Sequence, residues 1–333
     1  MELRWNPVLE TWVMVSAARQ HRPFLPKDAC PFCPGSGKVP ADYDVQLYPN
    51  DFPHLMHDPP EPTIADDALL RVGRAFGSCD VVLYSPDHQG SIKDLPPPHR
   101  MKLFDLWCAH FAAMRAREDV KYVLIFENKG EVIGVTMHHP HGQIYSYPYI
   151  PLRPLREIEA ARRHTATHCG ACLFCAILEK ELAFGRRVVW ASEHFVAFVP
   201  SYAEYPYEVH IYPRRHVQSI LDLTDEEADD FMAGLQRQVR VYDSLFGFEL
   251  PFMMGFHQEP VDDQDYGFYH FHVEFYPVHR AADRLKYNAG SETAGGAFTN
   301  PSSPEERAAE LRGLAAALAG AGHARVRTTE SPA

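Results

Sequence analysis

Apolar residues recur at the spacing of an amphipathic helix in two long segments of the chain. Residues 100–118 place leucines, Trp107 and Phe111 on one face of the first segment. The second segment, 226–246, follows a capping box in which Thr224 is the N-cap and Glu227 is the third helical residue. The pattern therefore predicts two long helices, each with one buried face.

Shorter runs rich in β-branched and aromatic residues predict strands of an antiparallel sheet. These runs lie at 121–127, 209–212, 252–256 and 268–276. A third helix is expected after Ser303, with Pro304 at its first position and Gly320 at its end. Strands mixed with helices in this order predict an α+β fold.

The composition is that of a globular protein and argues against several classes of partner. Of the 333 residues, 46% are hydrophobic and 23% are charged, which suits a chain with a large core. The formal net charge of −12, without a basic stripe, argues against nucleic acid as a partner. No apolar run reaches the length of a membrane span and no signal peptide is recognised, so we expect a cytoplasmic protein without membrane contact.

Residues suited to metal binding and catalysis occur twice along the chain in the same order. The first series is Cys30-Pro-Phe-Cys33, then His88, then His139-Pro-His141-Gly-Gln143. The second series is Cys172-Leu-Phe-Cys175, then His216, then His270-Phe-His272-Val-Glu274. Three matches in one order predict an internal duplication. We therefore expect two tandem halves at 1–155 and 156–323, each an antiparallel sheet backed by helices, and a flexible tail at 324–333.

Two cysteines and two histidines of each series form a set of candidate metal ligands. Two thiolates and two imidazoles suit a tetrahedral Zn2+ with four protein ligands and no open position. The first set, which we interpret as a structural zinc site, is Cys30, Cys33, His88 and His139. The equivalent set for a second zinc ion is Cys172, Cys175, His216 and His270. The alternative for each set is a reduced pair of cysteines without a metal.

The pentapeptide His139-Pro-His141-Gly-Gln143 is the strongest functional signal in the chain. Residues i and i+2 of an extended segment share a face, so His139 and His141 can serve one site. Gly142 is expected to let the backbone approach a ligand closely, and Gln143 offers an uncharged donor and acceptor. The segment predicts a phosphate-handling site with a histidine nucleophile. The alternative is that these histidines are structural.

Further motifs in the chain resemble those of one family. They are Asn50-Asp51-Phe52, Ser85-Pro86-Asp87-His88, the segment 126–130, Gly255-Phe256-His257 and the segment 272–277. Together with the pentapeptide, they make nearly the whole chain similar to the galactose-1-phosphate uridylyltransferases, a family of the histidine-triad superfamily. The second half on its own resembles a small histidine-triad hydrolase.

The resemblance implies roles for individual residues. It makes His141 the nucleophile and Gln143 a ligand of the phosphoryl oxygens. Uridine is expected to contact Asn50 and Asp51. Phosphate contacts are implied for Asn128, Gly134 and Thr136. Hexose contacts are implied for Lys286, Gly290 and Glu292. Arg19 and Arg22 are implied to lie near the diphosphate and to reach it across a homodimer interface.

The resemblance also implies a further metal site in the second half. Better-known members of the family build this site from one glutamate and three histidines. The matching residues here are Glu157, His257, His272 and Glu274. A glutamate therefore stands where the family has its last histidine. Because a carboxylate can ligate iron or zinc, we expect Fe2+ or Zn2+ at this site.

The reaction implied by the resemblance is the transfer of UMP from UDP-glucose to galactose 1-phosphate through a uridylyl-histidine. Gln143 cannot titrate, which favours transfer over hydrolysis. The second half has Glu274 at this place and is interpreted as catalytically silent. The nearest alternative is a phosphorylase of the same superfamily that acts on ADP-glucose or a diadenosine polyphosphate. A zinc-dependent binding protein without turnover is the alternative from another class.

Overall fold

The computed structural model describes residues 1–17 and 30–327, with side chains described as far as residue 320. Arg19 and Arg22, expected near the diphosphate, lie outside the described residues, as do residues 328–333 of the expected tail. Among the described residues, no helix has the length and apolar character needed to cross a membrane.

The described residues form fourteen strands and six α-helices. The strands are β1 (Glu2–Asn6), β2 (Thr11–Val15), β3 (Gln46–Pro49), β4 (Val72–Arg74), β5 (Ser78–Leu83), β6 (Tyr122–Lys129), β7 (His141–Tyr147), β8 (Val188–Ala191), β9 (Phe195–Phe198), β10 (Val209–Pro213), β11 (Phe252–His257), β12 (His272–Pro277), β13 (His279–Ala281) and β14 (Arg284–Leu285). The helices are α1 (Pro97–Arg115), α2 (Leu152–Thr167), α3 (Leu173–Phe184), α4 (Asp225–Leu245), α5 (Gly290–Gly295) and α6 (Pro304–Arg327).

Nine of the described strands form one antiparallel sheet in the order β3-β5-β7-β6-β11-β12-β10-β9-β8. The central pair β6–β11 joins the two halves of the chain. Outward from this pair the order is β6, β7, β5, β3 on one side and β11, β12, β10, β9 on the other. This matching order confirms the predicted fold class of two tandem halves, because each half contributes its strands in the same sequence.

Helices α1 and α4 cover one face of this sheet and close the main core. Trp107 of α1 and Phe231 of α4 both pack edge-to-face on Phe256 of β11, with ring centroids 5.1 and 5.5 Å apart. All three side chains are at most 1% exposed. Because side chains alternate across a strand, the residues between the core residues point to the opposite face. Helices α2 and α3 cover that face in the second half, where they pack on β9 and β10.

The predicted helices form with small differences at their ends. The capping box of Thr224 and Glu227 is confirmed at the start of α4. Helix α6 continues through Gly320 to Arg327, so the prediction that Gly320 ends it is wrong. Gly320 lies among alanines, whose high helix propensity carries the helix past a single glycine.

Gly142 of β7 lies against a buried tyrosine on the helix-covered side of the sheet. A Cβ atom at Gly142 would lie 2.3 Å from the hydroxyl oxygen of Tyr84. Tyr84 is 1% exposed, and its hydroxyl donates to Oε2 of Glu127 at 3.0 Å. A glycine is therefore required here by packing against Tyr84. This corrects the expectation that the glycine serves to let the backbone approach a ligand closely.

Replacing Gly142 by alanine should lower the free energy of unfolding by about 1–3 kcal/mol, because the added methyl group forces Tyr84 to move. Urea denaturation measures this loss. Adding Tyr84→Phe to Gly142→Ala should recover part of it. Gly313→Ala on α6, where a Cβ atom meets no other atom within 4 Å, is the matched control and should leave stability unchanged or slightly raised. A Gly142→Ala protein as stable as Gly313→Ala would contradict this account of the glycine.

Candidate active site

His141 and Gln143 lie on the open face of β7, opposite the helices. With the neighbouring loops they line a cavity of about 380 Å3. The predicted site residues that line this same cavity are Asn50, Asp51, Asn128, Gly134, Thr136, His141 and Gln143. The structure therefore brings together the candidates for nucleoside, phosphate and nucleophile, although they come from four separate segments of the chain.

The imidazole of His141 has a defined orientation and tautomer. Its Nδ1 lies 2.8 Å from the backbone oxygen of His139. A carbonyl oxygen can only accept, so Nδ1 carries the proton and Nε2 carries the lone pair. This is the tautomer that a histidine nucleophile acting through Nε2 requires.

His139 is fixed by contacts on both sides of its ring. It is 1% exposed, and its Nε2 donates to the backbone oxygen of Ser85 at 2.8 Å. Nδ1 consequently presents a lone pair toward the Sγ atoms of Cys30 and Cys33, at 3.7 and 3.8 Å. Burial lowers the pKa of His139, which favours the neutral imidazole that a metal ligand must be.

The first predicted zinc set is assembled in space. Nδ1 of His88 lies 3.5 Å from Sγ of Cys33. One ligand atom from each of Cys30, Cys33, His88 and His139 lies within 4.8 Å of the others. Two thiols and two imidazoles at this spacing fit a closed tetrahedral zinc site.

The second cysteine–histidine set repeats these contacts. Sγ of Cys175 lies 3.4 Å from Nδ1 of His216 and 3.3 Å from Nδ1 of His270. Cys172 completes the group within the same 4.8 Å limit. Nδ1 of His272 also lies 2.9 Å from the backbone oxygen of His270, as His141 does from that of His139. The second half therefore preserves the local geometry of the first, and its donor set also fits zinc.

The third predicted metal group lies buried beside β11 and β12. Nε2 of His257 is 3.3 Å from Oε2 of Glu274, and Nε2 of His272 is 3.4 Å from Oε1 of Glu274. Glu157 of α2 accepts from Nδ1 of His257 at 2.9 Å. Burial acts to lower the pKa of His257, but the carboxylates of Glu157 and Glu274 outweigh it and raise the pKa to about 9. Carboxylates that stabilise a positive charge this strongly would also stabilise a bound divalent cation.

Asn50 and Asp51 are held at the mouth of the His141 cavity by local hydrogen bonds. Oδ1 of Asn50 accepts from the backbone nitrogen of Phe52 at 2.9 Å. Asp51 accepts from Nζ of Lys38 at 2.5 Å and from the hydroxyl of Tyr48 at 2.7 Å. These bonds fix both side chains before any ligand binds.

The predicted hexose residues lie apart from this cavity. Nζ of Lys286 donates to Oε1 of Glu292 at 3.1 Å, and both residues are 8% exposed. The hydroxyl of Thr299 and the ammonium group of Lys286 hold the pKa of Glu292 below its usual range. Gly290 begins α5 and is exposed. The structure thus joins Lys286 and Glu292 to each other, and neither lines the cavity around His141.

The sequence analysis missed two groups of buried polar residues. Glu127 supports Tyr84 beneath Gly142, and burial raises the pKa of Glu127 to about 7. His210 of β10 lies 3.3 Å from Glu274 and 2.9 Å from Glu208. The available signal for His210 was its alternation with Glu208, two residues earlier, at the start of the strand predicted at 209–212.

Comparisons with known proteins show which family the chain resembles along its length. The model of the galactose-1-phosphate uridyl transferase N-terminal domain matches residues 1–151, and that of the C-terminal domain matches residues 157–326. The galactose-1-phosphate uridylyltransferase of Thermotoga maritima is 42% identical over 314 residues, which cover 94% of this chain and 98% of that protein.

Solved structures give the same result. A uridylyltransferase structure superposes with a TM-score of 0.88 at 36% identity and covers 96% of this chain and 99% of its own. An ADP-glucose phosphorylase from Arabidopsis thaliana shares the fold, with a TM-score of 0.72 at 23% identity over 94% of this chain and 98% of its own. Because the two family models together span most of the chain and the bacterial relative matches along nearly its whole length, the chain belongs to the galactose-1-phosphate uridylyltransferase family.

Proposed function

We propose that the protein is a UDP-glucose–hexose-1-phosphate uridylyltransferase, which moves UMP from UDP-glucose to galactose 1-phosphate. The observation that carries the proposal is the tautomer of His141, whose Nδ1 donates to the oxygen of His139 while its ring lines the cavity with Asn50 and Asn128. Family membership supports the same reaction. Arg19 and Arg22 are proposed to contact the diphosphate, as the resemblance implies.

The first chemical step forms a bond between Nε2 of His141 and the α-phosphorus of UDP-glucose. The bond from that phosphorus to the bridging oxygen breaks, and glucose 1-phosphate leaves with the electron pair. In the second step a phosphate oxygen of galactose 1-phosphate attacks the same phosphorus, and the bond to Nε2 breaks. UDP-galactose leaves and the neutral imidazole returns.

Neither step needs a strong general acid or base, because the leaving group and the acceptor are both phosphate anions. The protein must instead position the reactants and stabilise the negative charge on the phosphate oxygens. We assign Gln143, Asn128, Gly134 and Thr136 to the phosphate oxygens, and Asn50 with Asp51 to uridine. Since Gln143 cannot take a proton from water, the intermediate survives until the acceptor binds.

The metal sites are proposed to be structural. Cys30, Cys33, His88 and His139 would hold a Zn2+ ion that fixes the His139 ring, and with it the oxygen that orients His141. Cys172, Cys175, His216 and His270 would hold a second Zn2+. For Glu157, His257, His272 and Glu274, iron or zinc is proposed.

Three further parts of the proposal rest on the sequence. Division of the chain at 1–155 and 156–323, with a flexible end after 323, stays a prediction. So do the homodimer and the cytoplasmic location. For Lys286, Gly290 and Glu292 we keep the predicted hexose contacts, since Asn288 of the same segment lines a cavity that shares Asn128 with the His141 cavity. An ADP-glucose phosphorylase remains the competing activity because the related fold accommodates it.

Intact mass spectrometry tests the proposed reaction. Protein mixed with UDP-glucose, without an acceptor, should gain the mass of one UMP when quenched in alkali, which spares a phosphohistidine. Galactose 1-phosphate should discharge the adduct. His141→Ala should form none, because it lacks the nucleophile. His138→Ala is the matched control, since this neighbouring side chain is 69% exposed, and it should form the adduct normally. An adduct with ADP-glucose and not with UDP-glucose would replace the proposal by the phosphorylase.

Metal analysis tests the two zinc sites separately. Protein purified without chelators should contain two zinc ions in its cysteine–histidine sets. Cys30→Ser should lose one of them together with adduct formation, because the orientation of His141 depends on His139. Cys172→Ser should lose the other and still form the adduct. Cys169→Ser removes an exposed cysteine outside both sets and should lose neither ion. Equal zinc content in all three variants would rule out these ligand assignments.

A further inference from the structure

We infer that His210 is a positioning residue that, together with Glu208, holds Glu274 for a divalent metal ion and connects that metal group to the loop at Tyr205. The feature behind this inference is a row of three buried side chains: Glu208 directly before β10, His210 on β10 and Glu274 on β12. The part that concerns the hexose segment rests on the proposed function, whereas the part that concerns the metal does not.

The register of the sheet places His210 directly opposite Glu274. The two residues are paired across β10 and β12. Nε2 of His210 lies 3.3 Å from Oε1 of Glu274 and 2.9 Å from Oε1 of Glu208. All three residues are at most 5% exposed. With so little access to water, these side chains must satisfy one another.

The carboxylate of Glu274 has imidazole nitrogens on three sides. Nε2 atoms of His257 and His272 lie 3.3 and 3.4 Å from its oxygens. In both rings Nδ1 faces an acceptor, Glu157 Oε2 or the His270 backbone oxygen. In the neutral imidazole, which is the form that binds a metal, Nε2 therefore carries the lone pair. Two ligand atoms each about 2.1 Å from one ion are about 3.0–3.4 Å apart. Glu274, His257 and His272 thus have the spacing and lone pairs of ligands to a common cation.

His210 differs from these two histidines in what its Nε2 meets. Its shortest contact, at 2.9 Å, is to Glu208, a carboxylate outside the group of metal ligands. A carboxylate oxygen can only accept, so Nε2 of His210 donates its proton there and does not ligate. The bond fixes the direction of the Glu274 carboxylate. Hydrogen bonds of this kind to a ligating carboxylate orient it for the metal. Glu274 stands where the family has a histidine, and its carboxylate can rotate about more bonds than an imidazole. His210 contacts Oε1 of this more flexible ligand, and the hydroxyl of Tyr276 donates to Oε2.

Glu208 continues the connection to the surface. Its Oε2 accepts from the backbone nitrogens of Glu204 and Tyr205, at 2.7 and 3.0 Å. The hydroxyl of Tyr205 lies 3.4 Å from Oδ1 of Asn288, and Nζ of Lys286 lies 5.4 Å from the centre of its ring. A chain of direct contacts therefore runs from the metal group through His210 and Glu208 to the predicted hexose segment.

The surface at the end of this chain adjoins the proposed active site. Tyr205 and Asn288 line a cavity of about 360 Å3. Phe126 and Asn128 line both this cavity and the one that holds His141. Loss of the metal or of His210 should accordingly make Tyr205 and Asn288 more mobile, next to the place where the hexose is expected to bind. The position of His141 should not change.

The test measures Fe2+ uptake, without oxygen, by protein whose cysteine–histidine sets already hold zinc. Against a competing chelator, His210→Phe should bind Fe2+ about 10–100-fold more weakly than the wild type, because the ring remains and the donor is lost. His210→Gln keeps a donor and should recover most of the affinity. His272→Ala removes a ligand and should abolish uptake. His164→Phe, on the surface of α2, is the matched control and should bind normally. Retained zinc reports that each variant is folded.

Hydrogen exchange tests the proposed connection between the metal group and the hexose segment. In His210→Phe, the backbone amides of 204–208 and 286–292 should exchange faster, and those of β7 should not change. Unaltered Fe2+ affinity in His210→Phe, or no uptake by the wild type, would overturn the metal role. Weaker Fe2+ binding with unchanged exchange at 286–292 would overturn the connection to the hexose segment. If the wild type forms no UMP adduct while the affinity shift occurs, the proposed function fails and the metal role of His210 stands.

Discussion

The hydrogen bond from Nδ1 of His141 to the backbone oxygen of His139 is the interaction on which the proposed chemistry depends. It spans 2.8 Å and fixes both the tautomer and the direction of the ring. The oxygen can hold this position because His139 is itself bound to Ser85 and faces two cysteines. The orientation of His141 therefore depends on Ser85, which follows β5, and on the loop that carries Cys30 and Cys33.

The two halves show how the same scaffold supports different chemistry. His272 makes the same bond to His270 that His141 makes to His139, and each half has a cysteine–histidine set at the same place. The difference lies two residues further along the strand. Gln143 faces an open cavity, whereas Glu274 faces three histidines and is 5% exposed. A carboxylate at this position attracts cations and repels phosphate, so the second half is suited to holding a metal. Its counterpart of His141, His272, is buried and not accessible as a nucleophile.

Much of this arrangement could be predicted from the sequence, because the decisive residues stand in short motifs or recur in a duplicated order. The pairing of cysteines with histidines far along the chain followed from the repeat, and the capping box at Thr224 followed from local chemistry. Gly142 was misjudged because its neighbour Tyr84 is distant in sequence, and only the packed sheet shows that its hydroxyl fills the space. His210 was missed for a similar reason, since strand register brings it to Glu274. Gly320 resembled a helix end because the alanines around it were given too little weight.

Exchange of label between substrate and product tests the covalent intermediate most directly. The protein would be incubated with UDP-glucose and radiolabelled glucose 1-phosphate, with galactose 1-phosphate left out. A uridylyl-His141 intermediate predicts that label enters UDP-glucose at a rate comparable to turnover, and that His141→Ala shows no exchange. Exchange that appears only when galactose 1-phosphate is added would mean that both substrates must be bound together, and it would contradict the two-step account.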